Sequence, residues 1–194
     1  MKATSNFRSE PAKSAYPMLP KGLYIAQIKN VKVEEEGPCH DQRMTIRLDI
    51  VEGEYAGYYT KRYKADQERG GQFEAKYKGD FVVYAVTEND TARKYPQSDI
   101  KKFNGSMWAI EQSNPGYRWE WDEKSLCGKL VGINVRLGTF NGIEYTNIGR
   151  LESIPEIKAG KVKVMKDAEP RGSASTTEAA GDGFNVVVDE DVPF

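Results

Sequence analysis

The sequence predicts a mainly β protein, a small five-stranded barrel with a helical insertion between its third and fourth strands and a disordered, acidic C-terminal tail. Three observations carry that prediction. Apolar and polar residues alternate over Met44–Ile50 and again over Leu130–Leu137, the period-two pattern of a half-buried strand. Asn141-Gly142 separates two such runs, and Asn-Gly supplies the positive φ angles of a tight hairpin turn. From Pro170 onward the chain is polar and acidic, and such a composition cannot bury enough apolar area to offset the entropy of ordering its backbone.

Taken in order, residues 1–19 form a flexible polar leader with Lys2, Arg8, Lys13 and two prolines. Pro20-Lys21-Gly22 punctuates the start of the folded body. Leu23–Val33 reads as a long strand whose alternation changes phase near Ala26–Ile28, the mark of a bulge or of strong coiling. After a polar loop around Gly37-Pro38, Met44, Ile46, Leu48 and Ile50 give the second strand its core face, with Thr45 and Arg47 opposite. Glu52–Gly57 is a turn, and Tyr58–Ala65 reads as the third strand, aromatic and basic residues interleaved.

The middle of the chain, Asp66–Cys127, reads as more helical. Phe81–Glu88 is a short apolar stretch assigned to helix. Ser98 can cap a helix running to about Ser113, with Ile100, Phe103, Met107 and Ile110 on one face and Trp108 in its core. Asn114-Pro115-Gly116 stops it. Tyr117, Trp119 and Trp121 alternate, so in an extended segment they share a face. Leu130–Phe140 and Ile143–Ile154 are the fourth and fifth strands, joined at the Asn-Gly turn. Residues 20–157 therefore make the barrel domain, 158–188 a flexible linker and 189–194 a distinct acidic tip.

Charge is nearly balanced at −1, yet it is unevenly placed. Everything before Gly172 holds all 28 basic side chains and 24 of the 29 acidic ones, a net of +4, while the rest carries five carboxylates and no cation. A mildly basic body suits phosphate, and an acidic tail suits a basic protein. Cys39 and Cys127 are too few and too far apart for a disulfide framework, and with His40 they lack the ligands of a closed zinc site. Both are expected to be reduced thiols. Without a bilayer-length apolar run or a secretion signal over Met1–Asn6, the chain is expected to be soluble and cytoplasmic, in a bacterial host cell.

Three strands, a helical insertion and a two-stranded hairpin is the layout of an OB-fold barrel. The final residues Asp189-Glu190-Asp191-Val192-Pro193-Phe194 resemble the acidic tip of bacterial single-stranded DNA-binding proteins, in which an Asp-rich run closes in Pro-Phe. The resemblance implies that Asp189, Glu190, Asp191, Val192, Pro193 and Phe194 recruit replication, repair or recombination enzymes. A plain solubility tail accounts for the three carboxylates but gives no reason for Pro193-Phe194. The body, from Leu19-Pro20-Lys21-Gly22-Leu23-Tyr24 through Tyr55-Ala56-Gly57, is similar to a family of phage-encoded proteins thought to bind single-stranded DNA. That likeness spans roughly residues 19 to 154, with a middle insertion longer than in the ordinary bacterial protein.

Binding a single strand without strong sequence preference requires aromatic faces for bases and cations for phosphates. Tyr59, Lys61 and Tyr63 are the expected groove face of the third strand, because a buried lysine is costly. A strand edge would add Arg62 and Lys64. Arg47, Lys129 and Arg136 are candidates for a phosphate track, and Phe140 at the hairpin tip for a stacking ring. Trp119 and Trp121 stand between base stacking and core packing. No Walker loop, histidine pair or nucleophile motif is present, so an enzyme and a cofactor are not expected. Asp41, Asp49, Glu52 and Glu54 are the one carboxylate group that a metal-dependent nuclease could draw on. The function expected is coating of single-stranded DNA in phage or mobile-element replication or recombination; a protein-binding barrel adaptor is the alternative. A homo-oligomer stays open.

Overall fold

A computed structural model describes residues 16–34, 42–70, 74–86 and 96–170. Among the described residues there are five strands: β1 (Gly22–Glu34), β2 (Gln42–Ile50), β3 (Asp80–Ala85), β4 (Leu130–Phe140) and β5 (Ile143–Glu152). Helix α1 (Tyr58–Arg69) follows β2, α2 (Pro96–Ser113) lies between β3 and β4, and α3 (Ile154–Lys158) follows β5. The strands are ordered β3-β2-β1-β4-β5, each neighbouring pair antiparallel. The sheet curls until β3 meets β5, giving a nearly closed barrel whose strand order is compatible with an OB-fold.

Period-two alternation fills the barrel. Met44, Ile46, Leu48 and Ile50 of β2, Phe81 and Val83 of β3, and Val131, Ile133 and Val135 of β4 are all buried. On β1 the register slips between Ile28 and Asn30, so the inward set passes from Ala26 and Ile28 to Val31 and Val33. That bulge is the change of phase read in the sequence, and it bends β1 so that its first half pairs with β4 and its second with β2. Helix α2 lays Phe103, Met107, Ala109 and Ile110 against β3, β4 and β5. At the β4–β5 turn Asn141 and Gly142 have φ of 49° and 77°, as a two-residue hairpin demands.

Two element assignments are corrected. Tyr58–Ala65 is helical, within α1, and the third strand comes from Phe81–Ala85, which the sequence reading gave to a helix. The physical reason for the first is a cap from outside the segment. The buried Asp49 carboxylate on β2 accepts the Tyr59 amide, one of the donors that a helix start leaves open, and also the Thr60 hydroxyl. Tyr58 and Tyr59 are then buried, with Arg62, Tyr63 and Asp66 half-buried one and two turns on, a helical spacing hidden by the strand-like composition. The second was masked because Val82 and Tyr84, which point outward, are themselves apolar or aromatic, so β3 shows no polar alternation. Trp108 is also displaced from its expected place in the helix core: it is 47% exposed, and Ala109 takes the inward position.

The body extends past both expected boundaries. Leu19 is fully buried; its amide donates to the Tyr58 hydroxyl, which in turn donates to the Pro17 carbonyl. On the other side, Asn134 of β4 donates to the Lys163 carbonyl and accepts the Met165 amide, both at 3.0 Å. The Ala168 amide reaches the Leu137 carbonyl. Residues 161–168, expected as linker, are therefore laid along the barrel wall. Residues 1–15 and 171–194, including the acidic tip, lie outside the described residues. No helix among the described residues is long and apolar enough to cross a membrane.

Candidate nucleic-acid interface

The residues singled out by the sequence fall into four groups. The first surrounds Tyr77, which precedes β3 and had no part in the sequence reading. Its hydroxyl donates to the Leu48 carbonyl; Tyr59 and Tyr63 pack against its ring, and the Arg47 guanidinium lies over it at 4.6 Å. Arg47 also donates twice to Asp80, at 2.9 and 3.1 Å. Burial pushes the Tyr77 phenol up to about 12, with the nearby Asp49 carboxylate adding to it. Tyr59 is only 3% exposed, and burial drives its phenol upward as well. Tyr59 is thus core, which overturns the expectation that Tyr59, Lys61 and Tyr63 share a groove face. Lys61 is exposed, but its ammonium donates to the Ala56 carbonyl, and Arg62 is turned toward Asp66 and the Tyr58 hydroxyl. Lys64 is exposed.

The same neutralisation runs along the strands beside Arg47. Lys32 and Arg43, on adjacent strands, both reach Glu34, at 2.8 and 3.3 Å, and the Lys32 contact holds the Glu34 carboxyl below its ordinary range. Each basic side chain on the outer β1–β2 surface from Asn30 to Glu34 and from Arg43 to Arg47 has a carboxylate partner.

The second group is aromatic. Trp119 is half-buried against the core and tilts toward Trp121, which stacks on Phe103 at 5.7 Å and is 68% exposed. Trp119 therefore packs, while Trp121, held with a positive φ of 61°, offers a ring face. Lys129 is engaged over the Tyr117 ring at 4.4 Å. Third, Phe140 stands at the hairpin tip 54% exposed, next to the more exposed Ile143. Fourth, Arg136 on β4 lies flat across Gly149, where a Cβ would sit 3.2 Å from the arginine stem.

Arg136 leads to a surface that the sequence reading missed. Between α2, the end of β5 and residues 161–163 lies a groove of ≈ 650 Å³. Five cationic side chains line it, Lys101, Lys102, Arg150, Lys161 and Lys163, against two carboxylates, Glu152 and Glu156. Trp108 forms part of its wall. The Lys102 ammonium donates to the Val82 carbonyl and sits over the Phe81 ring; that local desolvation lowers its pKa, and Arg136 adds to the effect. The clue was available: Lys158, Lys161, Lys163 and Lys166 form a basic run, but it reads as linker until Asn134 pins it to the barrel.

Among the described residues no three of His, Cys, Asp and Glu converge as a metal site would require. Of the carboxylates a nuclease could use, Asp49 is committed to capping α1, and Asp41 lies outside the described residues. No protein-family model matches the chain, and no curated protein matches it.

Proposed function

We propose that this protein binds single-stranded DNA, coating it in the cytoplasm of a bacterial host during phage or mobile-element replication or recombination, and that residues 189–194 recruit a processing enzyme. One observation carries the reading. Three large rings, Trp108, Trp121 and Phe140, stand 47%, 68% and 54% exposed on a five-stranded barrel with a basic groove. Stacked bases are partners that cover such rings without demanding a sequence. The acidic run closing in Pro193-Phe194 supports recruitment, since a phenyl ring beside carboxylates suits a small apolar pocket edged by Arg or Lys.

Titration of a labelled oligo-dT with the full chain tests the body: binding should saturate at low salt and weaken as salt rises. Absence of binding to any single strand at low salt refutes the reading. For the tip, Phe194→Ala keeps every carboxylate and should lose the proteins that wild type captures from a bacterial lysate. Equal capture by both would mark a solubility tail.

A further inference from the structure

The α2–β5 groove and the outer β1–β2 surface both carry lysine or arginine, but only the groove leaves such charge unspent. Lys101, Lys161 and Lys163 have no ion pair with any described residue, whereas Lys32, Arg43 and Arg47 are each held by a carboxylate. Glu152, one of the two carboxylates in the groove, is itself occupied by Arg150 at 2.6 Å and by Asn134. The lysines of the wall are also presented from fixed backbone, because Asn134 anchors the Lys163 carbonyl and the Met165 amide. That segment's backbone is therefore already ordered before any ligand arrives, so the cost left on binding is that of the lysine side chains.

Gly105 supplies an independent sign. It lies inside α2 and lines the groove, and a Cβ built there would meet nothing within 4 Å. Glycine in a helix interior costs about 0.5–1 kcal/mol relative to alanine, and here no packing contact requires it. What a side chain at 105 would do is occupy the groove.

We infer that a single strand runs through this groove, with Lys101, Lys161 and Lys163 on its phosphates and Trp108 stacked on a base. The inference rests on the single-strand reading above and gives it a path distinct from the outer β1–β2 surface. A flexible chain with exposed bases uses both the cations and the ring.

The test uses the full chain and a labelled oligo-dT. Lys101→Gln, Lys161→Gln and Lys163→Gln together should reduce the slope of log K against log salt by about two units, at about 0.7 per phosphate contact. Trp108→Ala should weaken binding roughly 5- to 150-fold, the range for one lost stacking contact. Gly105→Leu should leave the melting temperature unchanged or higher and still weaken binding, which separates blockage from misfolding. A Trp119→Phe, Trp121→Phe protein, with Trp108 as its one tryptophan, should lose fluorescence on saturation. If wild type binds and these variants bind with the same affinity and slope, or the Trp108 signal does not move, the groove is overturned while the single-strand function stands. If wild type binds no single strand, both fall.

Discussion

The surface around Tyr77 and the groove beside Trp108 are built from the same kinds of residue and are put to opposite uses. Around Tyr77, tyrosines and arginine interlock: Tyr59 is buried, Tyr63 leans on Tyr77, and Arg47 is shared between the Tyr77 ring and Asp80. Beside Trp108, the ring is 47% exposed, and Lys101, Lys161 and Lys163 have no ion pair with any described residue. The first region holds α1 to the barrel. The second has a field available to a ligand. Interleaved aromatic and basic residues therefore do not by themselves mark a binding surface; the deciding question is whether a carboxylate or a core already occupies them.

The largest expected difference between the regions is in stability. Tyr59→Ala should cost about 3–5 kcal/mol in urea unfolding, the usual penalty for emptying a buried aromatic site. Trp108→Ala should cost clearly less, because only about half of its ring is covered. Equal costs would break the division between a structural and a ligand-facing cluster.

A pH dependence sharpens it further. Burial pushes the Tyr77 phenol up to about 12 in the folded chain, against about 10 when unfolded. Folding thus favours the protonated phenol, so its contribution is full below about pH 10 and is lost as pH rises toward about 12. Urea midpoints measured between pH 9 and 11 should fall, and Tyr77→Phe should flatten part of that fall. An unchanged slope in the phenylalanine variant would mean that Tyr77 is freely solvated.

The smallest effect concerns Arg47. Because Asp80 already neutralises it, Arg47→Ala should cost only about 0.5–1 kcal/mol of stability, the range of an exposed ion pair. It should change the salt slope of oligo-dT binding by less than about 0.7, well short of the effect of the groove lysines. A slope change as large as theirs would move the strand onto the β1–β2 surface.

Much of the barrel was legible because its signals are local. The bulge in β1, the alternation of β2, the hairpin at Asn141-Gly142 and the apolar stripe of α2 each need only a window of about ten residues. The candidate site was far less legible. Phe140 could be placed at a tip because the turn that exposes it follows it directly. Tyr59 could not be assigned to the core, nor Lys61 and Arg62 to a helix, since Asp49, the residue that starts that helix, sits ten positions earlier on another strand.

By itself the sequence determined a barrel of five strands with its helix between the third and fourth, and a final segment that carries carboxylates without a cation. These follow from periodicity and composition, which are properties of neighbours. Only the tertiary structure decided which segment became β3, that Asp80 and Glu34 would neutralise one basic surface, and that Asn134 would fold residues 161–168 against β4. Most of those outcomes depend on a hydrogen bond or ion pair between different segments, such as Arg47 with Asp80 and Asn134 with Lys163. A lysine's value to a ligand is set by what stands within a few ångströms of it, and linear order does not specify that.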